Sequence, residues 1–147
     1  MKRSEEGATL VEFAISASIL FMVLFGMIEF SMGLYAYNFL AYATKDAARY
    51  AMVRGSNCTV LNNCGAKNTE VQAFINNEGY PGISNSITTT TNFTCEAIPD
   101  PSLQNANCNA PGDLVTVTAT YPFTLNVPFM KPITMQFSSS SAMIISN

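Results

Sequence analysis

Few residues in this chain have side chains fit for chemistry, and their positions say more than their number. Glu12 and Glu29 are carboxylates placed in an otherwise apolar stretch. No charge occurs from Phe13 to Ile28, and after Glu29 none occurs from Phe30 to Thr44. A carboxylate is an acid, a base, a cation ligand or half of an ion pair. In a bilayer it is also a cost, about 2.5–3.5 kcal/mol at the centre of a spanning helix on insertion scales. Leu10, Val11, Phe13, Ile15, Ile19, Leu20, Phe21, Val23, Leu24, Phe25, Ile28 and Phe30 together return about 4–7 kcal/mol on the same kind of scale. Two acids therefore offset most of what the apolar side chains gain, less for Glu12, which lies near the end. A bare anchor has no use for them, so an intramembrane acid is read as functional, with a partner to name. Snorkelling or protonation of Glu29 is the plain alternative.

The chain has no histidine, which removes the commonest general base and metal ligand. Its four cysteines, Cys58, Cys64, Cys95 and Cys108, lie beyond the apolar stretch in Asn-, Gly- and Pro-rich sequence. They lack Cys-x-x-Cys spacing, so zinc is a poor fit and disulfides in an oxidising compartment a better one. Three connectivities exist. Cys58–Cys64 with Cys95–Cys108 closes two short loops and is favoured; four reduced thiols is the competing state. No Gly-rich phosphate loop, metal spacing or base for a nucleophile occurs, so no catalytic residue, metal or cofactor is assigned. Asn57-Cys58-Thr59 and Asn92-Phe93-Thr94 fit the short glycosylation pattern.

These residues must be held by something, and the first element is a long helix. The run Leu10 to Arg54 is rich in helix formers and has no proline; its 45 residues rise about 68 Å at ~1.5 Å each. A bilayer core takes only about 30 Å of that. The second half, Tyr35 to Val53, turns amphipathic: Tyr35, Phe39, Tyr42, Tyr50 and Val53 fall near one face that suits packing on a globular domain. Gly55 suits a left-handed position past the helix end. Gly26 and Gly33 lie on nearly the same face as Glu29, and small residues let another helix approach. A secretory signal peptide is the rival for the N-terminus, but the apolar segment is too long and Glu12 interrupts its front.

Beyond Gly55 the pattern changes to loops and strands. Asn68-Thr69-Glu70 starts a short helix through Asn77. Ile87 to Thr94 suits a strand. Leu114 to Phe123 alternates strictly, with Val115, Val117, Ala119, Tyr121 and Phe123 on one side and threonines on the other. Pro122 marks an edge or a strand end. Ile133 to Ser138 alternates again, and Ala142 to Ile145 is apolar. The expected fold class is α+β: one long N-terminal helix, membrane-spanning then amphipathic, with a small antiparallel β-sheet head carrying disulfides. The expected division is a leader at 1–7, the helix at 8–55 and the head at 56–147.

Net charge is −3, with 12% charged and 48% apolar residues over 147 positions and no basic cluster. That excludes disorder and argues against nucleic-acid binding.

The segments Gly7-Ala8-Thr9-Leu10-Val11-Glu12-Phe13-Ala14, Phe25-Gly26-Met27-Ile28-Glu29-Phe30 and Ala47-Ala48-Arg49-Tyr50-Ala51 resemble the TadE-like pilin family. Tyr121-Pro122-Phe123 with Pro128 resembles its C-terminal part. The likeness covers residues 7 to 55 well and the cysteine loops not at all. It implies cleavage between Gly7 and Ala8 by a prepilin peptidase, with Glu12 acting in processing or docking of the new N-terminus. It implies a type IV-like tight-adherence pilus subunit, held in the bacterial inner membrane before assembly and found in an extracellular filament afterwards. Its partners would be copies of itself, the peptidase and the pilus assembly platform. The alternatives are a permanent single-pass protein (a minor pseudopilin) that primes assembly through its outer domain, and a small secreted enzyme, for which no residue speaks.

Overall fold

The computed structural model describes residues 3–56, 58, 61, 67–78, 83, 86–95, 108–128 and 130–146. The elements in chain order are α1 (Arg3–Met52), α2 (Asn68–Asn77), β1 (Thr88–Thr94), β2 (Leu114–Leu125) and β3 (Ile133–Ile144). The fold is α+β, as the patterning implied. The alternating stretch at 133–138 and all but the last residue of the apolar stretch at 142–145 belong to one continuous strand, β3. The three strands form one sheet in the order β1-β2-β3. β1 runs antiparallel to β2, from Thr88 opposite Thr120 to Thr94 opposite Leu114. β3 is antiparallel too, with Thr118 beside Ser140 at 3.1 Å and Thr124 beside Thr134 at 3.2 Å. Pro122 is tolerated in this middle strand because β1 pairing stops at Thr120.

Helix α1 holds 50 residues, and nothing in its sequence breaks it. Two of its exposed serines, Ser18 and Ser31, cost little away from water, because each hydroxyl is already bonded within the helix. Ser18 Oγ donates to the Ala14 carbonyl at 2.7 Å, and Ser31 Oγ to that of Met27 at 2.8 Å.

The chain forms two compact units. One comprises Ala36–Pro122 and Gln136–Asn147. Its core takes Phe39, Leu40, Ala43, Ala47, Ala48 and Ala51 from α1, Val71 and Ile75 from α2, Ile87, Val115, Val117 and Ala119 from the first two strands and the approach to them, and Ile145. The buried stripe of α1 is thus mainly alanine, spaced by three and four. This corrects the aromatic face: Phe39 is buried, but Tyr42 is 65% exposed and Tyr35 about half exposed. Small side chains let a sheet lie close to a helix, and tyrosines at those positions would hold it off. At the helix end, Tyr50 stacks on Phe74 with centroids 4.5 Å apart, and the Arg54 guanidinium lies 3.6 Å above the Tyr50 ring. Gly55 is buried, and its φ is not positive. The Arg54 amide closes the last turn onto the Ala51 carbonyl instead, at 3.1 Å.

The outer edge of β1 is closed by α2. The Gln72 side chain accepts from the Thr89 amide and hydroxyl, both at 2.7 Å, and donates to the Ile87 carbonyl at 2.7 Å. Asn68 accepts from the Thr91 amide at 3.1 Å. Edge amides left open would template pairing with other chains, and here side chains satisfy them. The chain end is fastened by a second set of bonds. Gly112, at φ 98°, turns the backbone so that its amide meets the Ile145 carbonyl at 2.9 Å, while the Ile145 amide meets the Asp113 carbonyl at 2.8 Å. The buried Asp113 carboxylate accepts from the Ala110 amide at 2.9 Å.

The other unit comprises Met1–Tyr35 with Phe123–Met135. Its interior contact is the Phe123 ring over Gly33. A Cβ placed on Gly33 would lie 3.3 Å from that ring. The rest of its helical part presents apolar side chains outward.

Candidate functional site

The site is a length of helix surface with two carboxylates. Phe13 is 72% exposed, Leu10 68%, Phe30 66% and Ile19 61%. A charge-free surface of this extent is not sustained in water, so lipid or other protein must cover it. Helix α1 contains a span, Gly7–Met52, long and apolar enough to cross a membrane, and none of its most apolar window is buried.

Glu12 is exposed and Glu29 half-buried. On the helix they stand about 26 Å apart, at ~1.5 Å per residue. That spacing nearly equals a hydrocarbon thickness of about 30 Å. The acids therefore bracket the apolar run and do not sit at its middle. In a bilayer of that thickness each carboxylate would lie within reach of a headgroup layer, and the full midplane cost would not be incurred. Among the described residues neither acid has a cationic partner. Lys45 and Arg49 do not serve Glu29, and Arg49 instead meets Asp46 at 3.6 Å in an exposed pair of small energetic weight.

Gly7 and Ala8 lie exposed in the first turns of α1, and a Cβ on Gly7 would meet nothing within 4 Å. The peptide between them is open to another protein. Gly26 is likewise unobstructed, whereas Gly33 is covered by Phe123 of the same chain. The two glycines thus differ: one offers an open notch, the other already accommodates an aromatic ring. A shallow groove lined by Met27, Ile28, Ser31, Met32 and Tyr35 marks a further face of this helical segment.

Cys95 and Cys108 form a disulfide, with Cα atoms 4.6 Å apart. Cys58 is also disulfide-bonded, and its expected partner, Cys64, lies outside the described residues. Asn92 lies exposed in β1, while Asn57 and Thr59 of the other glycosylation pattern lie outside the described residues. No group of three or more metal-ligating side chains gathers among the described residues.

Patterning alone did not reveal the Phe123–Gly33 contact, the Gln72 clamp or the Gly112–Asp113 clasp. Only the first left a signal. A glycine in an apolar helix and an aromatic at the end of an alternating strand each ask for a neighbour, but nothing in one dimension pairs them.

The exposed apolar helix, with an acid at each end of its charge-free run, fits a membrane anchor by length and composition, and it is joined to a small disulfide-bonded α+β domain. Residues 7–49 match the model of a family described as TadE-like protein, so the resemblance carried by the residues holds over this segment. TadE-like proteins are a structural, pilus-associated kind with an N-terminal membrane helix. No curated protein and no solved structure matches the chain.

Proposed function

We propose that this protein is a structural subunit of a type IV-like tight-adherence pilus. It waits in the inner membrane on α1 and polymerises into an extracellular filament with copies of itself. A prepilin peptidase would remove residues 1–7 by cutting between Gly7 and Ala8, and an assembly platform would extract the subunit from the bilayer. The observation that carries this reading is the apolar run Phe13–Ile28, exposed along almost its whole length and bracketed by Glu12 and Glu29. In the membrane, lipid covers that surface. In a fibre, neighbouring helices would cover it, and the open notch at Gly26 supports their close approach.

Cutting at Gly7 makes Ala8 the first residue and Glu12 the fifth. A neighbouring subunit's new α-amino group would then neutralise Glu12 once both leave the headgroup layer. Charge pairing of this kind is strong only where water is absent, so it favours the assembled state. Glu29 would pair with a group on a staggered neighbour. The test is Glu12→Ala in cells. The variant is expected to stay in the membrane at normal level, with filaments reduced by about tenfold or more, the equivalent of losing one desolvated pair. Normal filament yield would instead support a permanent single-pass protein that primes assembly through its outer domain.

A further inference from the structure

Residues 114–147 contain a single charged side chain, Lys131. It lies in the β2–β3 connection, between Pro128 and Pro132, and is exposed. Around it the apolar side chains point outward: Met130 is 53% exposed, Ile133 47% and Met135 41%. Their exposure is not what strand alternation requires. Ile133 and Met135 share the β3 side that carries Phe137, which packs edge-on against Tyr37 at 6.1 Å, yet they themselves are open. This end of the hairpin belongs to the same compact unit as the apolar helical segment. Within that unit Phe123 rests on Gly33, four positions beyond Glu29, where the lipid-covered run ends. A span of about 20 residues begun at Glu12 ends near the same place.

We propose that the β2–β3 hairpin tip is a second membrane contact. In the unassembled protein, Met130 and Ile133 enter the headgroup–acyl boundary of an anionic bilayer, and Lys131 meets lipid phosphate. Three features select this occupant. The apolar side chains flank the single charged residue of 114–147, a cation, which suits a layer that is greasy below and negative above. The patch continues an apolar surface that lipid already covers. The hairpin base is anchored at the helix level where that lipid ends. The contact orients the subunit at the membrane surface and is given up when the helix is extracted into a fibre. It rests on the membrane-anchored reading above and adds a point of attachment to it.

The chain has no tryptophan, so Met130→Trp supplies a unique fluorescent probe at the hairpin tip. The full chain carrying it would be placed in vesicles of phosphatidylethanolamine and phosphatidylglycerol, with and without brominated acyl chains. Thr90→Trp, at an exposed position in β1, is the control, and co-flotation with vesicles reports anchoring separately. Both variants are expected to float. The indole of Met130→Trp is expected to emit blue-shifted and to be quenched by about twofold or more, and that of Thr90→Trp to stay unquenched. Adding Lys131→Glu to Met130→Trp is expected to remove most of the quenching while flotation persists. Flotation with an unquenched indole at the hairpin tip overturns the proposal and leaves the patch for protein contacts in a fibre. Quenching indifferent to Lys131→Glu overturns the phosphate contact. Failure to float overturns this proposal and the anchored reading together.

Discussion

Glu12 and Glu29 show how position decides what a carboxylate costs. At a bilayer midplane the two together would offset most of what the apolar helix around them gains. At the two edges of the apolar run they are tolerable in lipid and costly in any dry, unpaired setting. That difference is what assembly would exploit. The glycines divide in the same way. Gly33 is under the Phe123 ring, so a large side chain there must push the ring aside. Gly33→Leu is expected to lower stability by about 1–3 kcal/mol, read as a shift in the chemical-denaturation midpoint. Gly26 has open space instead, so Gly26→Leu is expected to leave the same midpoint within about 0.5 kcal/mol or raise it slightly. Under the proposed role it should still reduce fibre yield, because it closes the notch that a neighbouring helix enters. Equal effects of both variants on both readouts would contradict the separation.

At the scale of elements, α1 and the sheet were legible because their periods are long and clean. Uninterrupted helix formers gave the helix, and the Val115-Val117-Ala119 alternation gave the central strand. The buried face of α1 was harder to see. Bulk suggested the tyrosines, but close packing on a sheet selected Ala43, Ala47, Ala48 and Ala51, since small residues bring backbones together. Register contacts such as Gln72 with Thr89 join positions far apart in sequence, and no local period encodes them. The Cys95–Cys108 pair was legible because the two cysteines close one short loop, separated by 13 positions. By the chain-entropy model that closure stabilises the fold by about 3 kcal/mol. Cys95→Ser with Cys108→Ser is expected to lose roughly that amount in chemical denaturation. A loss under about 0.5 kcal/mol would mean the loop is held by its other contacts.

The whole molecule combines a helix that needs cover with a domain that is largely complete in itself. The domain has its own core, its β1 edge is closed by α2, and its chain end is bonded to the Gly112–Asp113 turn. Helix α1 up to Glu29 has none of these and must borrow its surroundings, first lipid and then sister helices under the proposed role. Under that role the protein passes between two environments, and the passage is directly observable. Filaments sheared from cells and analysed by mass spectrometry of N-terminal peptides test this most directly. The chain is expected in the sheared fraction, beginning at Ala8, with the membrane fraction holding the uncut form as well. A chain found only in membranes, or recovered in fibres with Met1 still attached, would contradict it.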